Sequence, residues 1–198
     1  MDILHYIFGD IVLEDSRSGK IVVVSHCILN VHSLEDGLAI YPGMEEDIIK
    51  ILMEKSVGIY QIPCPETYIM GIFRQPLLKH PYDKPQIREK FRRLAMEIVD
   101  QLRWYKKKGY EIIAVLGAEG SPTCGINKVG RWKDPVKKGR FPDDVIFVEG
   151  MGVFMEEFKK LLEEEGINPM WIGIPGKSLR SLDPSIFEET LDKLKKLL

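Results

Sequence analysis

The sequence holds three cysteines, and each of them lies at or just past the end of a segment that predicts a β-strand. They are Cys27 after the run 21–26, Cys64 after the run 59–63, and Cys124 in the glycine-rich stretch 117–125 after the run 112–116. Such runs are typical of buried parallel strands, whose carboxyl ends meet at one edge of a sheet. We therefore expect the three thiols to converge on one rim of the sheet.

Thiolates at such a rim are ligands for soft metal centres, namely zinc, copper(I) and iron–sulfur clusters. A structural zinc site usually takes four ligands, often from close pairs such as CxxC, and this chain has no CxxC. Single cysteines far apart in sequence suit a larger object such as a [4Fe-4S] cluster, which normally takes four thiolates. With three, one iron stays open to substrate, which indicates chemistry. Cysteines that only fill space, or a thiol redox pair, are the alternatives.

Predicted strands alternate with predicted helices along the chain, the pattern of a sheet with helical crossovers. The strands are predicted at 20–25, 58–62, 111–116, 145–148 and 170–174, and the helices at 44–55, 85–108, 152–165 and 184–198. The fold class is therefore α/β: a single-domain, three-layer α/β/α Rossmann-like fold with a mostly parallel sheet of four to five strands. Residues 1–198 are predicted to form one domain. The remaining segments are an N-terminal arm at 1–19, a polar loop at 28–43 that could overhang the strand ends, a turn-rich stretch at 67–82 and a basic, irregular loop at 126–144.

The composition is that of a globular protein, with 44% hydrophobic and 29% charged residues. The net charge of −2 gives no general attraction to nucleic acid or membrane. No apolar run approaches a membrane span, and the start lacks a basic signal-peptide region, so a cytoplasmic location is predicted. An odd number of cysteines without a secretion signal argues against a disulfide framework. Abundant Lys and Glu with few Asn and Gln favour a thermophilic source.

Four motifs of the chain resemble, in order, those of the thiouracil desulfurase (TudS-like) family. They are the segment 24–29, Cys64-Pro65-Glu66, the segment 71–74 and the segment 120–125, and the likeness spans about residues 20–165. The resemblance implies an α/β fold with a [4Fe-4S] cluster on Cys27, Cys64 and Cys124, and catalytic roles for Glu66 and Ser121. The chain departs from the pattern at Asn30, where a glycine is usual, at 31–33, and at 70–74, all around the expected substrate pocket.

The function predicted from these motifs is that of an enzyme, a cluster-dependent, non-redox desulfidase acting on a thiolated nucleobase or nucleoside. The substrate sulfur would bind the open fourth iron, Glu66 would activate water, and Ser121 would hydrogen-bond the ring. The further substrate-binding candidates are Ser25, His26, Asn30, Arg74, Gly120 and Thr123.

Two other classes of function are open to this sequence. One is a non-catalytic iron–sulfur or metal-binding protein that stores or delivers sulfide. The other is a nucleotide-binding domain whose turn 117–125 cradles phosphate, although that turn lacks the GxxxxGK[ST] and GxGxxG spacings. An RNA or tRNA contact through the basic run 128–140 is not favoured over a small-molecule partner. No membrane partner is expected, and the oligomeric state is not predicted.

Overall fold

The structure of the protein is a computed structural model that describes residues 15–134, 139 and 143–198. Most of the predicted N-terminal arm, residues 1–14, lies outside the described residues. The same is true of Lys137, Lys138 and Arg140 in the predicted basic loop.

The centre of the fold is a four-stranded parallel sheet. The strands of the chain are β1 (Lys20–Ser25), β2 (Gly58–Ile62), β3 (Glu111–Glu119), β4 (Lys128–Trp132), β5 (Val145–Glu149) and β6 (Met170–Pro175). The sheet has the order β2-β1-β3-β6, and each neighbouring pair is parallel. The carboxyl ends of its strands therefore lie along one edge.

Helices cover both faces of this sheet. They are α1 (His26–Leu29), α2 (Glu46–Glu54), α3 (Pro65–Met70), α4 (Lys79–Tyr82), α5 (Pro85–Lys107), α6 (Val153–Glu164), α7 (Lys177–Leu182) and α8 (Ile186–Leu197), with a short 3₁₀ helix at Val31–Ser33. Side chains of β1 alternate between the faces, so Val22 and Val24 pack with α2 and α8, and Val23 packs with α5 and α6. The predicted α/β fold class is confirmed.

Two predicted elements near the sheet edge differ in the structure. Strand β3 does not end at 116 but continues to Glu119, because Gly117 and Ala118 pair with Gly173 and Ile174 of β6. The predicted strand 145–148 does not join the parallel sheet. It pairs, as β5, antiparallel with β4, which lies inside the segment predicted as an irregular loop. The hairpin meets the sheet edge where Gly120 bridges to Val129.

The stretch 67–82, predicted as turn-rich, contains most of α3 and the whole of α4. Helix α3 begins directly after Cys64, with Pro65 at its first position, where the missing N–H of proline costs nothing. It ends at Gly71, whose φ of 77° favours glycine. Among the described helices, none is both long and apolar enough to span a membrane.

Candidate functional site

The three cysteines come from three separate segments and line one cavity of about 150 Å³ at the carboxyl edge of the sheet. Cys27 lies in α1, directly after β1, and Cys64 is the N-cap of α3. The Cys64 Sγ accepts a hydrogen bond from the backbone N–H of Thr67 (3.5 Å). Cys124 lies in the turn after β3. The convergence follows from the sheet, because β2, β1 and β3 are parallel neighbours that end at this edge.

The turn that carries Cys124 is held by hydrogen bonds to two side chains. Ser121 Oγ accepts from the backbone N–H groups of Thr123 (3.2 Å) and Cys124 (3.0 Å). The carboxylate of Glu119 accepts from the N–H groups of Ile126 (3.2 Å) and Lys128 (3.0 Å). The turn therefore folds back tightly over the end of β3.

Two glycines allow that close approach. A Cβ on Gly117 would lie 2.4 Å from the carbonyl oxygen of Cys124, and a Cβ on Gly152 would lie 2.3 Å from that of Thr123. Any larger residue at either position would displace the segment that carries Cys124.

Two of the three cysteines, Cys27 and Cys124, are poor nucleophiles as free thiols. Burial, with added repulsion from Cys64 and Glu66, raises the pKa of Cys27 to about 12. Burial and the neighbouring Cys27 and Cys64 raise the pKa of Cys124 well above its usual range. A metal centre would deprotonate such thiols as it binds. The thiolates repel one another because they lie close together, and the same closeness would let them bind one metal centre.

Among the residues that the structure describes, no group of three or more His, Cys, Asp or Glu side chains is placed to hold a metal ion. In a [4Fe-4S] cluster each thiolate binds a different iron, so the ligands surround a volume rather than a point. Cys27, Cys64 and Cys124 meet one condition for such ligation, because all three line the same cavity.

Glu66 is buried in the wall of the same cavity and accepts hydrogen bonds at both carboxylate oxygens. Its Oε1 accepts from Thr123 Oγ1 (2.9 Å) and Ser121 Oγ (3.3 Å). Its Oε2 accepts from Arg74 Nε (3.3 Å) and Tyr82 Oη (3.2 Å). The structure therefore brings the two predicted catalytic residues, Glu66 and Ser121, within hydrogen-bond range of each other.

Arg74 and Glu35 complete a buried group of ionisable side chains behind Glu66. Arg74 Nε lies 3.0 Å from Glu35 Oε1, and both side chains are almost fully enclosed. Burial and the nearby charge of Glu66 raise the pKa of Glu35 well above its usual range. Arg74 Nη2 also donates to the backbone oxygen of Ser33 (2.7 Å) and lies 3.9 Å from Cys64 Sγ. Arg74 thus joins the polar loop 28–43 to a cysteine of the site.

The predicted substrate-binding residues divide into two groups. Arg74, Gly120 and Thr123 line the cavity, whereas Ser25, His26 and Asn30 do not. His26 is held beside the site by Asn30 Nδ2 (3.3 Å) and Gln61 Nε2 (2.8 Å), and burial lowers its pKa. Ser25 is fully buried at the end of β1.

Sequence reasoning did not identify four further residues around the cavity. They are Glu35, Tyr41, Tyr82 and Phe147. The hydroxyl of Tyr41 donates to the backbone oxygen of Cys27 (3.0 Å). The ring of Phe147 would lie 2.6 Å from a Cβ on Gly120. The one available signal was the polarity of the loop 28–43, which contains Glu35 and Tyr41. Phe147 lies on the hairpin, and no sequence pattern placed it near the cysteines.

Fold and site together define an α/β protein with a three-thiol cavity beside a buried glutamate. The protein MJ0003 of Methanocaldococcus jannaschii, which is uncharacterized, is 33% identical to this chain over 178 residues, covering 90% of this chain and 98% of the relative. The chain belongs to the family of that protein. No family model matches the chain.

A solved structure is also similar to the chain. It is the structure of the [4Fe-4S]-dependent thiouracil desulfidase TudS. The two chains are 20% identical, with a TM-score of 0.40, and the match covers 90% of this chain and 99% of the TudS chain. A likeness at that level carries no weight for this chain's function.

Proposed function

We propose that this protein is a desulfidase that holds a [4Fe-4S] cluster on Cys27, Cys64 and Cys124 and removes sulfur from a thiolated nucleobase or nucleoside. The observation that carries the proposal is that three thiols from distant segments line the same cavity as a buried, hydrogen-bonded glutamate. The motifs shared with thiouracil desulfurases supply the substrate class.

The protein provides three ligands where a [4Fe-4S] cluster has four irons, so one iron has no protein ligand. When bound, the cluster supplies a Lewis acid at that iron for the sulfur of a thiocarbonyl group. Burial keeps the thiols of Cys27 and Cys124 protonated in the free protein. Both would lose their protons on binding the cluster, because the attraction between thiolate and iron outweighs the cost of burying the charge.

Glu66 is the group placed to act as general base in this cavity. Its Oε1 has a long hydrogen bond from Ser121 Oγ (3.3 Å), which a water or substrate atom can replace at little cost. The shorter hydrogen bond from Thr123 Oγ1 to Oε1 (2.9 Å) and the charged contact of Oε2 with Arg74 keep the carboxylate in its orientation during that exchange. Ser121 Oγ would then be free to donate to a ring oxygen or nitrogen.

The overall reaction balances without an electron donor. Water adds its oxygen to the thiocarbonyl carbon, the C–S bond breaks, and the products are a carbonyl compound and hydrogen sulfide. Glu66 Oε1 takes one proton from the water and returns it to the sulfur. The second water proton leaves the hydroxyl group on carbon and also goes to the sulfur as the C–S bond breaks, so no net charge remains on the carboxyl group.

The walls of the cavity favour a small planar substrate over a polymer. Leu38, Tyr41, Phe147 and Ile174 line it together with the polar groups of the site. Apolar and aromatic walls with a few convergent polar groups are typical of small-molecule sites. A free base or nucleoside is therefore the preferred substrate.

Anaerobic reconstitution with iron and sulfide tests this function. We expect about four irons per chain, a broad visible absorbance, and release of sulfide from thiouracil. Glu66→Gln should retain the iron and the absorbance but lose about a hundredfold or more in turnover, because the base is removed and the ligands remain. Cys64→Ser should lower the iron content itself.

Each alternative has its own result in that experiment. A protein that binds about four irons but releases no sulfide would be a non-catalytic iron–sulfur protein, and the enzymatic proposal would be wrong. A chain that binds no iron under reconstitution would contradict both readings. Unchanged turnover in Glu66→Gln would remove Glu66 from the mechanism.

A further inference from the structure

The hairpin of β4 and β5 brings one aromatic ring, that of Phe147, to the cavity of the three cysteines. Side chains of a strand alternate between its two faces. On β5, Val145 and Phe147 line the cavity, whereas Ile146 between them does not line it and is 41% exposed. One face of the hairpin is therefore part of the site, and Phe147 is only partly buried there.

Two glycines face the ring of Phe147. Gly120 lies directly against it, since a Cβ on Gly120 would be 2.6 Å from Phe147 Cε1. Gly130 is the residue opposite Phe147 in the register of the hairpin, and it lines the cavity as well. A glycine within a strand often marks a place that a ligand or another backbone approaches closely. Neither position has a side chain that could cover the ring.

Backbone hydrogen bonds hold the ring in a defined place at the end of β3. The N–H of Gly120 donates to the backbone oxygen of Lys128 (3.0 Å), and the N–H of Gly130 donates to that of Gly120 (3.2 Å). The residue after Gly120 is Ser121, which is proposed above to hydrogen-bond the ring of the substrate. The ring of Phe147 therefore lies against the backbone next to that hydroxyl group.

Tyr41 is the other aromatic residue among the described residues that line the cavity. Its hydroxyl is already bound to the backbone oxygen of Cys27 (3.0 Å). Phe147 has no polar atom, so contact with the flat face of a ligand is the interaction that its ring can offer. Aromatic side chains stack on nucleobases because every base has a π face.

We infer that Phe147 is a specificity-determining residue of the site: its ring stacks on the ring of the thiolated nucleobase and selects planar, conjugated rings over saturated ones. The inference rests on the proposed function, because it concerns the substrate of that reaction. A saturated ring such as that of dihydrothiouracil has the same thiocarbonyl and N–H groups as thiouracil, but it is puckered and has no π face. It would lose the stacking and keep the hydrogen bonds.

The kinetic test compares Phe147→Leu with Phe147→Tyr in the reconstituted protein, with thiouracil and dihydrothiouracil as substrates. Phe147→Leu keeps an apolar side chain against Gly120 but removes the π face. It should lower kcat/KM for thiouracil about tenfold, mainly through KM, and that for dihydrothiouracil less than about threefold. Phe147→Tyr keeps the ring and should stay within about threefold of the wild type with both substrates. Ile146→Ala, on the other face of the same strand, is the matched control and should match the wild type.

Binding of uracil and dihydrouracil to the iron-free protein gives a readout that does not depend on activity. Calorimetry should show that Phe147→Leu raises the Kd of uracil about tenfold and that of dihydrouracil less than about threefold. Equal losses for the two compounds would show that Phe147 only packs the hairpin, and the inference would be overturned. An unchanged Kd of uracil in Phe147→Leu would overturn it too, as would a Phe147→Tyr variant equally impaired or a wild type that binds no uracil.

Failure of the proposed function has a different result. A wild type that releases no sulfide from thiouracil, yet binds uracil in a manner that depends on Phe147, would contradict the desulfidase and support the stacking role. A wild type that releases sulfide with a KM unaffected by Phe147→Leu would support the desulfidase and contradict the stacking role.

Discussion

Glu66 and Ser25 are both buried polar residues, but only the side chain of Glu66 is hydrogen-bonded. Each oxygen of Glu66 accepts hydrogen bonds from two side chains, whereas Ser25 Oγ has no hydrogen-bond partner among the residues that the structure describes. A buried hydroxyl without a partner loses its contacts with water and gains nothing in return. Ser25 lies two residues before Cys27, so this cost falls at the edge of the site.

Replacing Ser25 by alanine should therefore stabilise the iron-free protein. We expect the free energy of unfolding of Ser25→Ala to rise by about 1 kcal/mol, because the unpaired hydroxyl is removed and little volume is lost. Chemical denaturation of the iron-free protein measures this.

Ser33→Ala is the matched control, since Ser33 is also buried but its Oγ donates to the backbone oxygen of Asn30 (2.9 Å). That variant should lose about 1 kcal/mol. A Ser25→Ala protein destabilised as much as Ser33→Ala would show that the hydroxyl has a partner and that the prediction is wrong.

At the scale of elements, the end of β3 positions the loop that carries Cys124. Glu119, the last residue of β3, accepts hydrogen bonds from three successive backbone N–H groups, those of Ile126, Asn127 and Lys128. The absence of a side chain on Gly173 of the neighbouring strand makes room for this carboxylate, since a Cβ there would lie 2.0 Å from Glu119 Oε1. The loop thus depends on one carboxylate at a strand end.

Glu119→Gln should loosen that loop. An amide presents one accepting oxygen, and its NH₂ group faces N–H donors, so we expect a loss of about 1–3 kcal/mol in the free energy of unfolding. Iron content after reconstitution should fall as well, because Cys124 is no longer held in place. Glu111→Gln, at the exposed start of the same strand, is the control and should change neither quantity. Equal effects of the two variants would contradict the role of Glu119.

At the scale of the whole molecule, the proposed cluster would join three segments that are distant in sequence. A group that binds the folded chain and not the unfolded chain stabilises the fold by mass action. Stabilisation by about 4 kcal/mol corresponds, for a protein of this size, to a rise in Tm on the order of 10 °C.

We therefore expect the reconstituted protein to melt about 10 °C above the iron-free protein, and removal of the iron with a chelator under denaturing stress to reverse the gain. Anaerobic calorimetry measures both transitions. Cys64→Ser should abolish most of the difference. Identical Tm values with and without iron would show that the three thiols do not bind a stabilising centre. The Tm of the iron-free chain also tests the thermophilic source predicted from composition.

Local patterns determined much of this protein. Apolar runs alternating with amphipathic helices are sufficient to predict a parallel sheet, because their periodicity is a property of neighbouring residues. A parallel sheet then places the residues after β1, β2 and β3 at one edge, which is why Cys27, Cys64 and Cys124 could be expected there. Glu66 and Ser121 were predicted as a pair through the family resemblance, and the structure brings them within 3.3 Å.

Only the tertiary structure decided which other side chains meet the site. Glu35 contacts Arg74, Tyr82 contacts Glu66, and Phe147 lies beside Gly120. The residues of each pair are too far apart in sequence for a local pattern to predict the contact. The strand at 145–148 was predicted, but β4 and its antiparallel pairing with β5 were not, because such pairing depends on a partner strand rather than on the run itself. Ser25 likewise satisfied the sequence motif but lies within the core beside the cavity. Side-chain direction at a strand end depends on which face is packed, and packing is a property of the whole fold.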